Sequence, residues 1–403
     1  MRIAITAEGT RGDIHPMLAL AASLRDRGHD VVLCVPPDFR EAAAEHGLRF
    51  HPVGREIRVY LEQEAEALHG GTLRLMGAAE RLFHENVASQ FADLAEGAQG
   101  AALVLAAGTQ LSAHSVAEAI GAEYRYIAYD PSVLRSAEQP PFMFRPGRRR
   151  LLNRAAWALQ IAVVQLRLRP VVDRERAKLG LPPVGDLYPR MLGVRPVLAA
   201  EEILAPAPLD AGEVQTVGCL HTFREAPLPE KLLQFLAAGE PPVFVGFGSM
   251  TDPDPERTTR LVLKAVRNAG VRAIVSEGWA GLGRSPLPED VMAIGPVPHA
   301  SLFQRVAAVV HHGGAGTTTT AARAGVPQIL IPHVLDQFHW AHRIEQRGLG
   351  PPAIARRHLG VDNLAAALRA IGDNEILFER ASEVGRRLRD AASNRPHAAD
   401  VIA

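Results

Sequence analysis

Short runs of aliphatic and β-branched residues alternate with amphipathic helical stretches in two separate blocks of the chain, and this alternation limits the fold more than any other feature. In the first block, residues 2–7 read as a strand, 8–13 as a glycine-bearing turn and 17–26 as a helix carrying Leu18, Leu20 and Leu24. Gly28-His29 ends that helix, and Val31-Val32-Leu33-Cys34-Val35 is a continuous apolar run suited to a strand buried on both faces. Strands are expected again over 102–106 and 124–128, with a helix over about 112–120 between them. In the second block, strands are expected over 243–247, 271–276, 291–294, 306–310 and 328–331. Helices are expected over 256–269 and 317–324, with a long helical region over about 363–392. Strands that alternate with helices form a parallel sheet covered on both faces.

Between the blocks the pattern loosens. Residues 139–150 read as an exposed loop and 153–168 as a strongly apolar helix. Pro227, Pro229, Gly239, Pro241 and Pro242 cluster in the stretch 219–242, as in an interdomain linker. A chain of 403 residues also exceeds what one core usually organises. The expectation is therefore an α/β protein of two doubly wound Rossmann-like domains. These are 1–218 and 243–403, joined by 219–242, with the last helix a candidate for packing back on the N-terminal domain. In such domains ligands bind at the carboxyl ends of the strands.

Composition removes several function classes. Lys+Arg and Asp+Glu both total 44, so no net field attracts nucleic acid. Cys34 and Cys219 form no metal-spaced pair and no disulfide framework, which suits a reducing cytosol. The first residues lack the apolar core and cleavage site of a signal peptide. The longest apolar stretch, 155–166, is too short to span a bilayer. A soluble cytoplasmic protein is expected.

The chemistry concentrates in His311-His312-Gly313-Gly314-Ala315-Gly316-Thr317. An apolar strand ends there, three glycines leave the backbone open, and four threonines begin a helix. Exposed N–H groups at the positive end of a helix dipole suit a diphosphate. His312, Thr317 and Thr318 can add donors to it, although a glycine turn with a threonine cap is an equally fair reading of the loop alone. About twenty residues on, Asp336-Gln337 follows a strand, where a carboxylate beside an amide can hydrogen-bond vicinal sugar hydroxyls. No Asp-x-Asp dipeptide suggests a metal site near the loop; Asp252 and Asp254 have that spacing but read as a turn leading to a helix N-cap.

Several segments together carry a family resemblance: Val297-Pro298-His299, Leu302-Phe303, residues 306–318, Arg323-Ala324-Gly325-Val326-Pro327-Gln328 and Asp336-Gln337-Phe338. They resemble the C-terminal signature of family 1-type nucleotide-sugar-dependent glycosyltransferases of the GT-B fold, in which two such domains face each other across a cleft. Gly9-Thr10-Arg11-Gly12-Asp13-Ile14-His15-Pro16 resembles the branch containing the bacterial glycopeptide-antibiotic glycosyltransferases and the sterol glucosyltransferases. Residues 50–200 carry no matching motif.

The resemblance implies an inverting transfer of a sugar from a UDP- or dTDP-sugar to an acceptor hydroxyl, with no metal and no cofactor beyond the donor. It implies Asp13 as general base, with His15 as rival and helix capping as the competing role for Asp13; capping would lower its pKa. The place near Ala106-Ala107-Gly108, where relatives with a histidine base hold an orienting aspartate, has no carboxylate. The implied donor contacts are Gly12, Ser249, Trp279 at the base pocket, Val297 with His299 beside it, His312, Gly314, Ala315, Gly316, Thr317, Thr318, Asp336 and Gln337. Plant-type relatives have a ribose-gripping glutamate where this chain has Thr320, which leaves UDP and dTDP both open with a lean toward dTDP.

On the acceptor side, Phe142, Phe144 and the Trp157 helix are candidates for lining an apolar pocket or for ordinary core. Arg148-Arg149-Arg150 offers transient contact with an anionic membrane surface, or is a solvated turn. The acceptor implied is a hydrophobic natural product, an antibiotic, macrolide or sterol-like alcohol. The competing functions are a sugar-nucleotide epimerase of the same architecture and a non-catalytic donor-binding activator. The oligomeric state is left open.

Overall fold

The computed structural model describes residues 1–64, 72–142, 144, 149–220 and 226–402. The chain divides into two compact units. One is Met1–Glu202 with Pro206–Thr222 and Pro396–Ala403; the other is Ile203–Ala205 with Phe223–Arg395.

The first unit is built on a parallel sheet of β1 (Arg2–Glu8), β2 (Asp30–Val35), β3 (Arg49–Pro52), β4 (Leu103–Gly108), β5 (Glu123–Ala128), β6 (Val197–Leu198) and β7 (Gln215–Thr216). Their order is β3-β2-β1-β4-β5-β6-β7. The chain leaves β1 toward β2 on one side and returns to β4 on the other, so the carboxyl end of β1 is the point where strand order reverses. Ile3, Ile5, Leu33, Leu103 and Leu105 bury one face of this sheet against Ile14, Met17 and Leu18 of the helix Arg11–Asp26.

The second unit has β8 (Val243–Gly246), β9 (Ala273–Ser276), β10 (Val291–Ile294), β11 (Ala308–His311) and β12 (Gln328–Leu330), also parallel, in the order β10-β9-β8-β11-β12. Successive residues of a strand point to opposite faces. Val243, Val245, Val310 and Ile329 accordingly enter one core, while Phe244, Ile274 and Val309 enter another. That double burial is why these strands read as unbroken apolar runs.

Several elements differ from expectation. The first helix begins at Arg11, ahead of Pro16, because Thr10 and Asp13 form a capping box. The apolar helix spans Arg150–Lys178 and contains Pro170. Its Trp157 is core: the ring is buried, meets Tyr188 edge-on at 5.7 Å, and Nε1 donates to the Gln139 carbonyl at 3.0 Å. The same helix exposes Leu151, Leu152, Leu159 and Leu166, so its apolar composition overstates its burial. Within 219–242, Glu230–Ala237 is a helix whose Leu232 joins the core of the second unit, while 221–225 lie outside the described residues. The region 363–392 is two helices, Val361–Gly372 and Glu375–Ser393, divided where the Asn374 side chain accepts from the Leu377 N–H. The helix Thr72–Gly97 has no counterpart in the sequence reading.

The last helix, Ala398–Ile402, buries Ala399 and Ile402 in the core of the first unit, and Asp400 pairs with Arg27 at 2.5 Å. Among the described residues, no helix is long and apolar enough to cross a membrane.

Candidate active site

In the first unit the site grows from the carboxyl end of β1. Gly9 has φ +139°, a backbone that excludes L side chains, and a Cβ there would overlap the carboxylate of Asp13. Asp13 Oδ2 accepts the Thr10 N–H at 2.8 Å, while the Thr10 hydroxyl accepts the Gly12 N–H at 3.3 Å. Gly108 closes the other side, and a Cβ on it would lie 3.4 Å from Asp13 Oδ1. Tyr129 donates its hydroxyl proton to the Asp13 carbonyl at 2.6 Å, and Tyr126 donates to the Gly108 carbonyl at 2.8 Å.

Asp13 thus caps the helix as the third residue of a capping box. Burial raises its pKa to about 6 and outweighs the Thr10 hydrogen bonds that pull it down. The capping hydrogen bonds lower the pKa as expected, and the larger effect of burial leaves the net shift upward. His15 is exposed and edge-on to Phe39 at 6.3 Å; partial desolvation and the Arg11 guanidinium lower its pKa to about 4. Gly12 is exposed in the same first turn and serves the cap.

A carboxylate that sequence reading took for part of the turn stands directly before this loop. Glu8 is 3% exposed at the end of β1, where Asn86 Nδ2 and Gln90 Nε2 donate to its two oxygens. Two signals could have found it: an acid closing an apolar strand, and two amides four residues apart on one helix face.

In the second unit the site lies at the carboxyl ends of β8 and β11, which pair with His311 opposite Gly246. His311 is buried and fixed: Nε2 meets Gln328 Oε1 at 2.9 Å and Nδ1 accepts the Gly313 N–H at 3.1 Å. Those partners assign the proton to Nε2, and burial lowers the pKa to about 3. The His312 ring lies between two glycines; a Cβ on Gly248 would be 3.0 Å from Cε1 and one on Gly314 would be 2.6 Å from Nε2. Its Nδ1 is buried without a hydrogen-bond partner among the described residues, and burial lowers its pKa to about 4. His312 is therefore a neutral hydrogen-bonding group at pH 7.

Gly314 is the N-cap of the helix Ala315–Ala324, with no side chain closing the N-terminus. Ala315, Gly316 and Thr317 form its partly exposed first turn. Thr318 is not available to a ligand as expected: it is fully buried and its hydroxyl donates to the Gly314 carbonyl at 2.9 Å. The Thr320 hydroxyl donates to the Gly316 carbonyl at 2.7 Å.

Gln337 is also corrected. It is 5% exposed, its Oε1 accepts the N–H groups of His333 and Val334 at 2.8 and 3.1 Å, and Nε2 faces Met250 Sδ at 3.3 Å. The amide is committed to a turn that holds Leu335 at φ +52°. Asp336, partly exposed, sits at the start of the helix Gln337–Arg347, and a Cβ on Gly313 would lie 3.0 Å from the Gln337 carbonyl, so the glycine loop abuts this helix.

The loops after β8 and β9 pack together, the Trp279 N–H donating to the Gly248 carbonyl at 2.9 Å beside the 7% exposed Ser249. Val297 is partly buried against the core that contains Phe303, and His299 stacks on Phe303 at 4.6 Å. Phe142 and Phe144 are partly buried in the first unit; Met143 and Arg148 lie outside the described residues, and Arg149 and Arg150 are exposed.

Asp254 caps the helix Pro255–Ala269 by accepting from the Arg257 N–H at 2.9 Å. Asp252, with a side chain 1% exposed, pairs with Arg356 at 2.7 Å and accepts from Thr258 Oγ1 at 3.0 Å. Arg356→Ala leaves that carboxylate buried with only neutral donors. The expected loss is about 2 kcal/mol of unfolding free energy, discounted because the arginine is partly solvated, read from urea melts at pH 7.

The chain matches known families at both ends. Residues 3–128 match the glycosyltransferase family 28 N-terminal domain, and residues 262–403 match the erythromycin biosynthesis protein CIII-like C-terminal domain. The vancomycin aglycone glucosyltransferase of Amycolatopsis orientalis is 40% identical over 87% of this chain and 85% of its own. The dTDP-epi-vancosaminyltransferase of the same organism is 37% identical over 91% and 89%. A sterol 3-beta-glucosyltransferase of Arabidopsis thaliana is 33% identical over 93% of this chain and 64% of its own. Among solved structures, the glycosyltransferase VinC in complex with dTDP matches with a TM-score of 0.71 at 21% identity, covering 100% of this chain and 98% of that one.

The fold is GT-B, and the enzyme class is glycosyltransferase. The chain belongs to the glycosyltransferase family that includes the vancomycin-type enzymes.

Proposed function

We propose that the protein transfers a sugar, with inversion, from a UDP- or dTDP-sugar to a hydroxyl of a hydrophobic natural-product or sterol-like acceptor, and that it does so in the cytoplasm without a metal ion. The observation that carries this reading is the open N-terminus of the helix Ala315–Ala324 beside the ring of His312. Cleavage at the anomeric carbon leaves negative charge on the diphosphate. Backbone N–H groups at a helix N-terminus, with His312 and Thr317 as further donors, supply the stabilisation.

Asp13 takes the proton of the attacking hydroxyl. A carboxylate poised near pH 6 is a stronger base than an ordinary aspartate and is still ionised at neutral pH. Inversion follows from direct attack on the face opposite the diphosphate. Asp336 is the group offered to the sugar hydroxyls. The dTDP-epi-vancosaminyltransferase and the VinC complex support dTDP as donor nucleotide, and the vancomycin aglycone and sterol glucosyltransferases support large hydroxylated acceptors.

The test is a mass-spectrometric screen of UDP-glucose and dTDP-glucose against the vancomycin aglycone, a macrolide aglycone and a sterol, in EDTA. A glycosylated product in EDTA is expected. Product only after magnesium is restored would overturn the metal-free mechanism. Calorimetry that finds neither UDP nor dTDP bound would overturn the donor assignment.

A further inference from the structure

We propose that the exposed face of the helix Arg150–Lys178 docks on an anionic lipid surface, lying in the interface with its leucines below the headgroups and its arginines among them. At about 100° per residue, Leu151, Leu152, Ala155, Leu159, Ala162 and Leu166 fall within one arc of about 100° along this helix. All six are exposed, and the four leucines are each more than half exposed. The opposite side of the helix carries Asn153, Trp157, Gln160 and Val171, which are buried. The helix therefore has an inward face held by the protein and an outward face of leucine and alanine alone. From Leu151 to Leu166 that outward face runs about 22 Å, at about 1.5 Å per residue. A contiguous apolar strip of this kind, rimmed by charge, marks an interaction surface rather than ordinary solvent-facing helix.

The rim says what the surface meets. Lys+Arg and Asp+Glu balance over the whole chain, yet between Glu138 and Asp173 every charged residue is an arginine. Arg154 and Arg167 border the strip about 60° beyond its two edges, by the same helical geometry, and Arg149 and Arg150 stand at its N-terminal end. All four are exposed. Two carboxylates approach them: Asp210 lies 3.7 Å from Arg150 and Glu80 3.0 Å from Arg167, and these two arginine side chains remain 60% and 59% exposed. Two copies of the chain joined through this face would set arginines beside arginines. Anionic headgroups instead pair with the rim while the leucines leave water, so the two contributions act together. The mode is lying on the membrane, since among the described residues no helix is long and apolar enough to cross one.

The experiment is sedimentation of the full chain with vesicles of phosphatidylglycerol and phosphatidylcholine in equal parts, and with phosphatidylcholine alone, at about 0.1 M salt, where charges are still felt across about 10 Å. Retention on the anionic vesicles alone is expected, weakening as salt is raised. The triple variant Leu152→Gln, Leu159→Gln, Leu166→Gln is expected to bind at least about tenfold more weakly, since three leucines no longer leave water. Arg149→Gln, Arg150→Gln, Arg154→Gln is expected to lose a similar factor while keeping the strip. These side chains are exposed, so both variants should fold; Leu159→Trp supplies a separate reading, its indole emission shifting to the blue on anionic vesicles. No retention of the wild type, equal retention of the leucine variant, or an unshifted indole overturns the proposal. A wild-type dimer that the leucine variant splits into monomers would give the face to a second copy and overturn it as well. Vesicle binding needs neither donor nor acceptor, so its failure leaves the glycosyl-transfer reading untouched.

Discussion

Asp13→Asn is expected to lower kcat by about a thousandfold, the usual worth of a general base, while leaving the affinity for UDP or dTDP within twofold. Asparagine keeps an oxygen for the Thr10 N–H, so the capping box survives and only proton acceptance is lost. The wild-type kcat/KM should fall on acidification below about pH 6, where Asp13 becomes protonated, and the variant should lack that limb. The stability consequence runs the other way. The folded-state pKa of Asp13 lies above its unfolded value, so the folded protein binds the proton more tightly and loses stability as pH rises through that interval. The variant escapes this loss and should melt no lower than the wild type at pH 5 and higher at pH 8. A thermal scan at both values checks the sign, and a turnover number near wild type would remove Asp13 from the mechanism.

Gly314→Val should weaken UDP or dTDP binding by about a hundredfold, equivalent to losing one to two hydrogen bonds to a charged group. The backbone at Gly314 has φ −64° and ψ 142°, which any L residue adopts, so the substitution strains no torsion. What changes is space: the new Cβ would lie 2.6 Å from His312 Nε2, and either the ring or the first turn of the helix must move. Gly372→Ala, where a Cβ meets nothing within 4 Å, is the control that should bind normally. Calorimetry with both nucleotides measures the difference. Unchanged affinity in Gly314→Val would place the diphosphate elsewhere.

The parts of the site legible in the sequence are those where backbone does the chemistry. Gly313, Gly314 and Gly316 after an apolar run announce a strand-to-helix turn, because side chains there would block the approach of a ligand, and the structure has that turn between β11 and the helix Ala315–Ala324. The side-chain assignments fared unevenly. Thr318 and Gln337 have the right chemistry at suggestive spacing, yet both are turned inward, one to bond the Gly314 carbonyl and the other to tie the 333–334 turn. Helix phase decides which way a threonine faces, and a run of four threonines hides that phase. Trp157 shows the same ambiguity, since an apolar helix is as readily core wall as pocket wall.

By itself the sequence determined that two parallel α/β units would form, because local hydrophobic period and glycine turns encode strands, helices and their order along the chain. It also marked Asp13 and the glycine loop as the two places where chemistry gathers. Only the tertiary structure decided the basicity of Asp13. Its carboxylate sits against Gly9 and Gly108, which lie far apart in the chain, and burial there raises its pKa to about 6. Electrostatic energies in a protein interior are set by what surrounds a charge in space, and no local pattern of residues records those surroundings.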